Sequence, residues 1–223
     1  MRAMLLAAGR GERMRPLTDA CPKPLLNVNG RPLLVHLIRQ LVQAGIQDLV
    51  INHAWLGEQI ESAIGDGSQF GASVQYSPEQ TALETAGGIV QALPFLGDEP
   101  FLVVNADIWT DFDFSLAPIW QQKIQQSQLV GICTLVPNPA HNPKGDFALQ
   151  ANLVRNQGQP MLTYAGIAAF APAMFSSLTA GERAPLAPLL RAAAQNNCLG
   201  GVTHMGVWSD VGTPQRLADL NAS

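Results

Sequence analysis

Apolar and polar positions alternate in two rhythms along the first half of the chain. Ala3–Ala7, Asp48–Asn52, Ser73–Ser77 and Phe101–Asn105 are short apolar runs, the length of buried strands. Between them, Leu33, Leu34, Leu37, Ile38, Leu41 and Val42 recur at three- and four-residue steps. Pro32 precedes that run and Gly45 follows it, which marks a helix with its start and stop. Trp55–Ile64, closed by Gly65, and Thr85–Leu93 are two further predicted helices. Strands alternating with helices predict an α/β fold, a mostly parallel sheet with helices on both faces. Such sheets bind ligands beyond the carboxyl ends of their strands. The polar segments 8–23, 76–88 and 105–113 follow strand ends.

The second half is less regular. Helices are expected over Ala117–Gln126 and Leu186–Gln195, with another starting at Pro214. Strands are expected over Leu129–Val136, Ala148–Arg155, Met161–Phe170 and Gly201–Trp208. Residues 137–146 form a loop rich in Pro and Asn. No repeat or linker divides the chain, so one domain over residues 1–223 is expected.

Composition narrows the class. The chain has 223 residues, of which 47% are hydrophobic and 13% charged, a balance that excludes intrinsic disorder. No apolar run approaches the ~20 residues of a membrane span. The N-terminal apolar stretch is short and runs into arginines, so a strand is expected there rather than a signal peptide, and a cytoplasmic location. Cys21, Cys133 and Cys198 are scattered and no CxxC occurs, which argues against a zinc knuckle or a disulfide framework. The net charge is −4, yet Arg2, Arg10, Arg13, Arg15, Lys23, Arg31 and Arg39 crowd the first segment against only Glu12 and Asp19. A basic segment in an acidic chain argues against a long nucleic acid and fits a local site for a small polyanion.

Gly9-Arg10-Gly11-Glu12-Arg13 follows the first strand. Glycines let backbone N–H groups approach phosphate oxygens, and an arginine adds a two-pronged grip. Met14 stands where the dinucleotide fingerprint needs a third glycine, and no Gly-Lys-Ser/Thr occurs, so neither familiar phosphate motif is present. Pro22 and Pro24 bracket and stiffen Lys23, a point charge suited to a reacting phosphoryl group. Asp107 and Asp210 each follow an apolar strand.

The run from Leu6 through Gly9-Arg10-Gly11-Glu12-Arg13-Met14-Arg15-Pro16-Leu17-Thr18, followed by Pro22-Lys23-Pro24-Leu25, resembles the signature of the sugar-1-phosphate nucleotidyltransferases. These enzymes join a nucleoside triphosphate to a sugar 1-phosphate and release pyrophosphate. Leu83-Glu84-Thr85-Ala86-Gly87-Gly88 resembles the family's turn at the nucleobase, and Asn105-Ala106-Asp107 its metal-binding strand end. Tyr164-Ala165-Gly166-Ile167 resembles its strand beside the sugar, and Trp208-Ser209-Asp210-Val211-Gly212-Thr213 its late metal segment. The resemblance implies a Rossmann-like nucleotide-diphospho-sugar transferase fold. It implies that Ala8, Gly9, Gly11, Glu12, Arg13, Lys23, Glu84 and Gly87 bind the nucleotide. Arg13, Lys23 and Asp107 would be catalytic, and Asp107 and Asp210 would hold Mg²⁺. Asn105, Asp146, Tyr164 and Gly166 would bind the sugar. With Ile51-Asn52-His53-Ala54-Trp55-Leu56-Gly57, Tyr76-Ser77-Pro78-Glu79 and the Leu83–Gly88 turn, the chain is most similar to the uridylyltransferases of cell-wall sugar recycling, so UTP is the expected donor.

Several features stand apart. Ala86 and Ala106 occupy positions where many relatives have glycine, which would add a methyl group to the pocket. The Glu-Lys-Pro motif that some relatives use for the sugar phosphate is missing, and Gly145-Asp146-Phe147 stands in its region. A hexose-1-phosphate uridylyl-, thymidylyl- or guanylyltransferase would share every motif. A metal-dependent glycosyltransferase would instead rely on Asp111 and Asp113, which otherwise read as loop acids or a cap near Ser115. His53, after a strand end, and His141, close to Asp146, are secondary candidates for substrate contact.

Overall fold

The computed structural model describes residues 1–222. In chain order the elements are β1 (Ala3–Leu6), α1 (Leu17–Ala20), β2 (Asn27–Val28), β3 (Arg31–Pro32), α2 (Leu33–Gln43), β4 (Asp48–His53), α3 (Gly57–Ile64), β5 (Ser73–Pro78), α4 (Glu84–Leu96) and β6 (Phe101–Asn105). There follow β7 (Ile108–Thr110), α5 (Ala117–Gln125), β8 (Gly131–Val136), β9 (Phe147–Gln150), β10 (Leu153–Arg155), β11 (Met161–Phe170), α6 (Leu186–Gln195), β12 (Leu199–Thr203), β13 (Trp208–Asp210) and α7 (Pro214–Ala222).

Nine strands form one sheet in the order β5-β4-β1-β6-β11-β8-β12-β10-β9. The first four are parallel. β11 enters antiparallel between β6 and β8, and the β9–β10 hairpin closes the far edge. The sheet is therefore mixed, with its parallel half around β1 and the loop that follows it.

The alternation of side chains along the strands builds two cores. Ala3, Leu5, Leu49, Ile51, Leu102 and Val104 face α2, α3 and α5, where they meet Leu37, Ile38, Leu41, Ile60 and Ile124. Met4, Val50, Val103, Ala168 and Phe170 face α4 and α6, against Ile89, Leu190 and Ala194. A strand covered on both faces must be apolar throughout, which is why these runs read as continuous.

Most predicted elements form within a residue or two of their expected bounds. Gly45 closes α2 at φ 79°, where its N–H bonds Val42 O at 2.9 Å and that of Ile46 bonds Leu41 O at 2.9 Å. Three expectations need correction. Residues 148–155 are not one strand, because Ala151 and Asn152 both adopt positive φ and turn β9 into β10. The strand expected over Gly201–Trp208 is two: β12 ends at Thr203, and β13 leaves the main sheet to pair with β7. α4 runs past Leu93 through Pro94 to Leu96, since a proline in the last turn forfeits only one backbone bond.

Candidate active site

The carboxyl ends of β1, β4, β5 and β6 open into a cleft of about 500 Å³. Ala8, Gly9, Gly11, Glu12, Arg13, Lys23, Glu84, Asn105 and Asp107, all expected at the site, line it. The loop after β1 is shaped by Gly11, at φ 68°. Its carbonyl accepts from Met14 N–H and Thr18 Oγ1, each at 2.8 Å. Among the described residues, the N–H groups of Gly9, Arg10 and Gly11 have no acceptor. Successive N–H groups left without a protein acceptor can receive an anion. The Arg10 guanidinium lies 4.5 Å from the Trp55 ring centre, and Trp55 Nε1 donates to Thr18 O at 3.1 Å, so Trp55 braces both sides of the loop.

Lys23 sits in a short helical turn after Pro22 and is buried. Its Nζ donates to Asp107 Oδ2, joining the nucleotide loop to the end of β6. Asp210 lies beside Asp107, because β13 pairs with β7 and Val211 N–H donates to Asp107 O at 2.8 Å. Arg216 of α7 donates to Asp210 through Nη1, and His141 Nε2 lies 3.0 Å from the same carboxylate. Both carboxylates are paired with side-chain cations and project from adjoining backbone; as oxygen donors they are the residues that could hold Mg²⁺ if phosphate oxygens joined them and those cations gave way. Among the described residues no group of three His, Cys, Asp or Glu forms a self-sufficient metal site.

A second pocket of about 350 Å³ shares Glu84, Thr85 and Asn105 with the cleft and extends past Asp146, Phe147 and Tyr164 to α6. Asp146 accepts from Tyr164 N–H at 2.9 Å and from Asn142 Nδ2 at 3.2 Å. Gly166, at φ 72°, interrupts the β11–β8 register, and a side chain there would run into Asn105. It shapes the pocket from beneath without lining it.

Other expectations resolve differently. Gly87 does not line the cleft: it is buried under the 182–184 segment and donates to Ala184 O at 3.1 Å, leaving no space for a Cβ against Glu182 O. Ala86 and Ala106 are fully buried in the two cores and add no methyl group to the cleft. The residue of the 83–88 turn in a left-handed conformation is Glu84, at φ 60°, and Arg183 holds its carboxylate at 2.7 Å. Asp113 caps Ser115 N–H at 3.0 Å, which holds its carboxyl below the usual range, and Asp111 pairs with His204 at 3.0 Å. Neither lines the cleft. His53 is buried against Glu61 at 2.7 Å and is a packing residue. Burial pushes the Cys21 thiol up, away from a reactive thiolate.

Sequence reasoning missed a buried network beneath the cleft. Asn52 Oδ1 accepts from Ala7 N–H at 2.9 Å and Asn52 Nδ2 donates to Glu79 Oε1 at 2.6 Å. Glu79 Oε2 accepts from Leu83 N–H at 2.8 Å. Both residues line the cleft at the ends of β4 and β5, where the strand-end rule would have found them. Arg216 follows the expected metal carboxylate Asp210 in the first turn of α7, a nearness in sequence that could have found it.

The comparisons with known proteins agree with this geometry. The family model described as "Nucleotidyl transferase" matches residues 2–145. The chain is 51% identical to N-acetylmuramate alpha-1-phosphate uridylyltransferase of Neisseria meningitidis serogroup B, across 100% of this chain and 97% of that protein. It is 33% identical to the protein of the same name from Caulobacter vibrioides, across 96% and 92%. A solved structure described as a glucose-1-phosphate thymidylyltransferase from Bacillus anthracis, in complex with a sucrose, shares the fold at a TM-score of 0.86 and 21% identity, over 100% of this chain and 94% of that one. With its cleft at the carboxyl edge of the parallel strands and a signature loop along its wall, the chain belongs to the nucleotidyl transferase family.

Proposed function

We propose that this protein transfers a uridylyl group from UTP to N-acetylmuramate α-1-phosphate, giving UDP-N-acetylmuramate and pyrophosphate. The observation that carries the reading is the 51% identity, over the whole chain, to a protein of that name. The cleft supports it chemically. Ala8, Gly9, Gly11, Glu12 and Arg13 form the wall against which the triphosphate is bound, and Glu84 borders the base and sugar ends. Lys23 is held at the reacting phosphate by Asp107. Asn105, Asp146 and Tyr164 orient the sugar, with Gly166 giving Asn105 its room. Gly87 acts by close packing, not by touching the nucleotide.

An oxygen of the sugar phosphate attacks the α-phosphorus, and the bond to the β-phosphate breaks on the opposite side. Pyrophosphate leaves past Arg13. No protein nucleophile is required, so the residues act by positioning and by offsetting charge. Asp107 and Asp210 would hold Mg²⁺, which when bound offsets negative charge on the reacting phosphates. Such a reaction belongs to the recycling of peptidoglycan sugars and, since UTP is its donor, to the cytoplasm. One sheet running through both halves supports reading the chain as a single domain.

The test is pyrophosphate release by the purified protein with Mg²⁺ and each nucleoside triphosphate, against N-acetylmuramate, N-acetylglucosamine, glucose and mannose 1-phosphates. Preference for UTP and the muramate sugar is expected. Preference for another sugar would overturn the assignment while keeping the chemistry.

A further inference from the structure

The pocket beyond Asn105 ends on α6, and its charges are unevenly satisfied. Glu84 is neutralised by Arg183 at 2.7 Å. Both oxygens of Asp146 accept hydrogen bonds, from Asn142 and from Tyr164 N–H. The remaining charged residue of the lining is Arg191, the one cation among the described residues there. Its guanidinium stands 5.4 Å from the ring centre of buried Phe147, a contact that fixes its direction. Among the described residues it has no carboxylate partner. Pro185, Leu186 and Leu190 beside it make that end of the pocket apolar. A positioned arginine beside an apolar wall matches a ligand carrying a carboxylate on a short aliphatic arm.

We infer that Arg191 receives a carboxylate borne by the sugar, and so selects sugar 1-phosphates with an acidic ether substituent over those with a bare hydroxyl. The inference rests on the function proposed above. N-acetylmuramate differs from N-acetylglucosamine by a lactyl ether, which adds one methyl group and one carboxylate. A sugar whose 1-phosphate reaches Asp107 extends its ring over Asn105 into this pocket, with its substituents toward α6. The apolar residues then cover the lactyl methyl, and the guanidinium pairs with the carboxylate through two parallel N–H donors. The unsubstituted sugar lacks both the methyl and the carboxylate, gains neither contact, and is bound less well.

The experiment measures kcat/KM for N-acetylmuramate 1-phosphate and N-acetylglucosamine 1-phosphate in the wild type, Arg191→Ala and Arg191→Lys. The wild type is measured first. If it does not favour the muramate sugar, the proposed function itself fails, and this inference with it. Given that preference, Arg191→Ala should lower the muramate-to-glucosamine ratio about 10- to 100-fold, mainly through the KM of the muramate sugar. Arg191→Lys keeps a charge without the two-pronged geometry and should recover part of the ratio. An unchanged ratio in Arg191→Ala would overturn the inference alone. An equal fall for both sugars would also overturn it, since that would put Arg191 on the phosphate they share. Arg191 is exposed, so the variant is expected to melt like the wild type.

Discussion

Lys23 and Asp107 stand 84 positions apart in the chain and form one ion pair at the floor of the cleft. The pair joins the nucleotide loop, stiffened by Pro22 and Pro24, to the end of a central strand. On the proposed function it keeps an ammonium group where phosphoryl charge develops, and it keeps a carboxylate beside Asp210.

Asp107→Asn retains the shape of the side chain and removes its charge. Turnover should fall by about a thousandfold or more, with the melting temperature little changed. A chelator should abolish wild-type turnover and added Mg²⁺ restore it. Near-normal turnover of the variant would remove Asp107 from the metal site.

Lys23→Ala should lower kcat more than it raises the KM for UTP, because its charge matters most when the α-phosphate is attacked. Steady-state kinetics over a UTP series separates the two. A pure KM effect would make Lys23 a binding residue only.

Glu79→Ala should destabilise the fold by about 2–4 kcal/mol in urea denaturation. It strands the Asn52 amide and the Leu83 N–H, both buried at the joint between two cleft loops. The KM for UTP should rise as well, because those donors fix the 83–88 turn. A loss of stability without a change in KM would confine Glu79 to a structural role.

The chain has two tyrosines, and both resist ionisation. Burial, then the charges of Glu61 and Asp66, pushes Tyr76 up to about 12, and burial pushes Tyr164 well above its ordinary value. A raised folded pKa means that the unfolded chain loses its proton first. Stability is therefore full below pH ~10 and falls as pH rises toward about 12. Tyrosinate absorbance should appear together with unfolding, not before it, and Tyr76→Phe should shift the alkaline transition upward. A native-state absorbance step near pH 10 would contradict this.

Much of the nucleotide side was legible in the residues. The apolar runs of β1, β4 and β6 are covered on both faces, and the glycines, prolines and charges of residues 9–25 form one compact signature. The sugar side was less so. The two-residue turn at Ala151-Asn152 carries no glycine, so β9 and β10 read as one strand. Gly87 looked like a ligand-facing glycine because close approach to a backbone and close approach to a phosphate demand the same residue. His141 escaped notice on Asp210 because it comes from a distant loop, and Arg216 because it reaches back from α7.

The two pockets share only Glu84, Thr85 and Asn105. On the proposed function, phosphate chemistry depends on loops after the parallel strands, whereas the far pocket is walled largely by β9, β11 and α6, which arrive later in the chain. The proposed function therefore predicts that exchanging the walls from residue 146 to residue 191 with those of a relative changes the sugar chosen and leaves the phosphate machinery as it is. A chimera built that way would inherit its rate from one parent and its choice of sugar from the other.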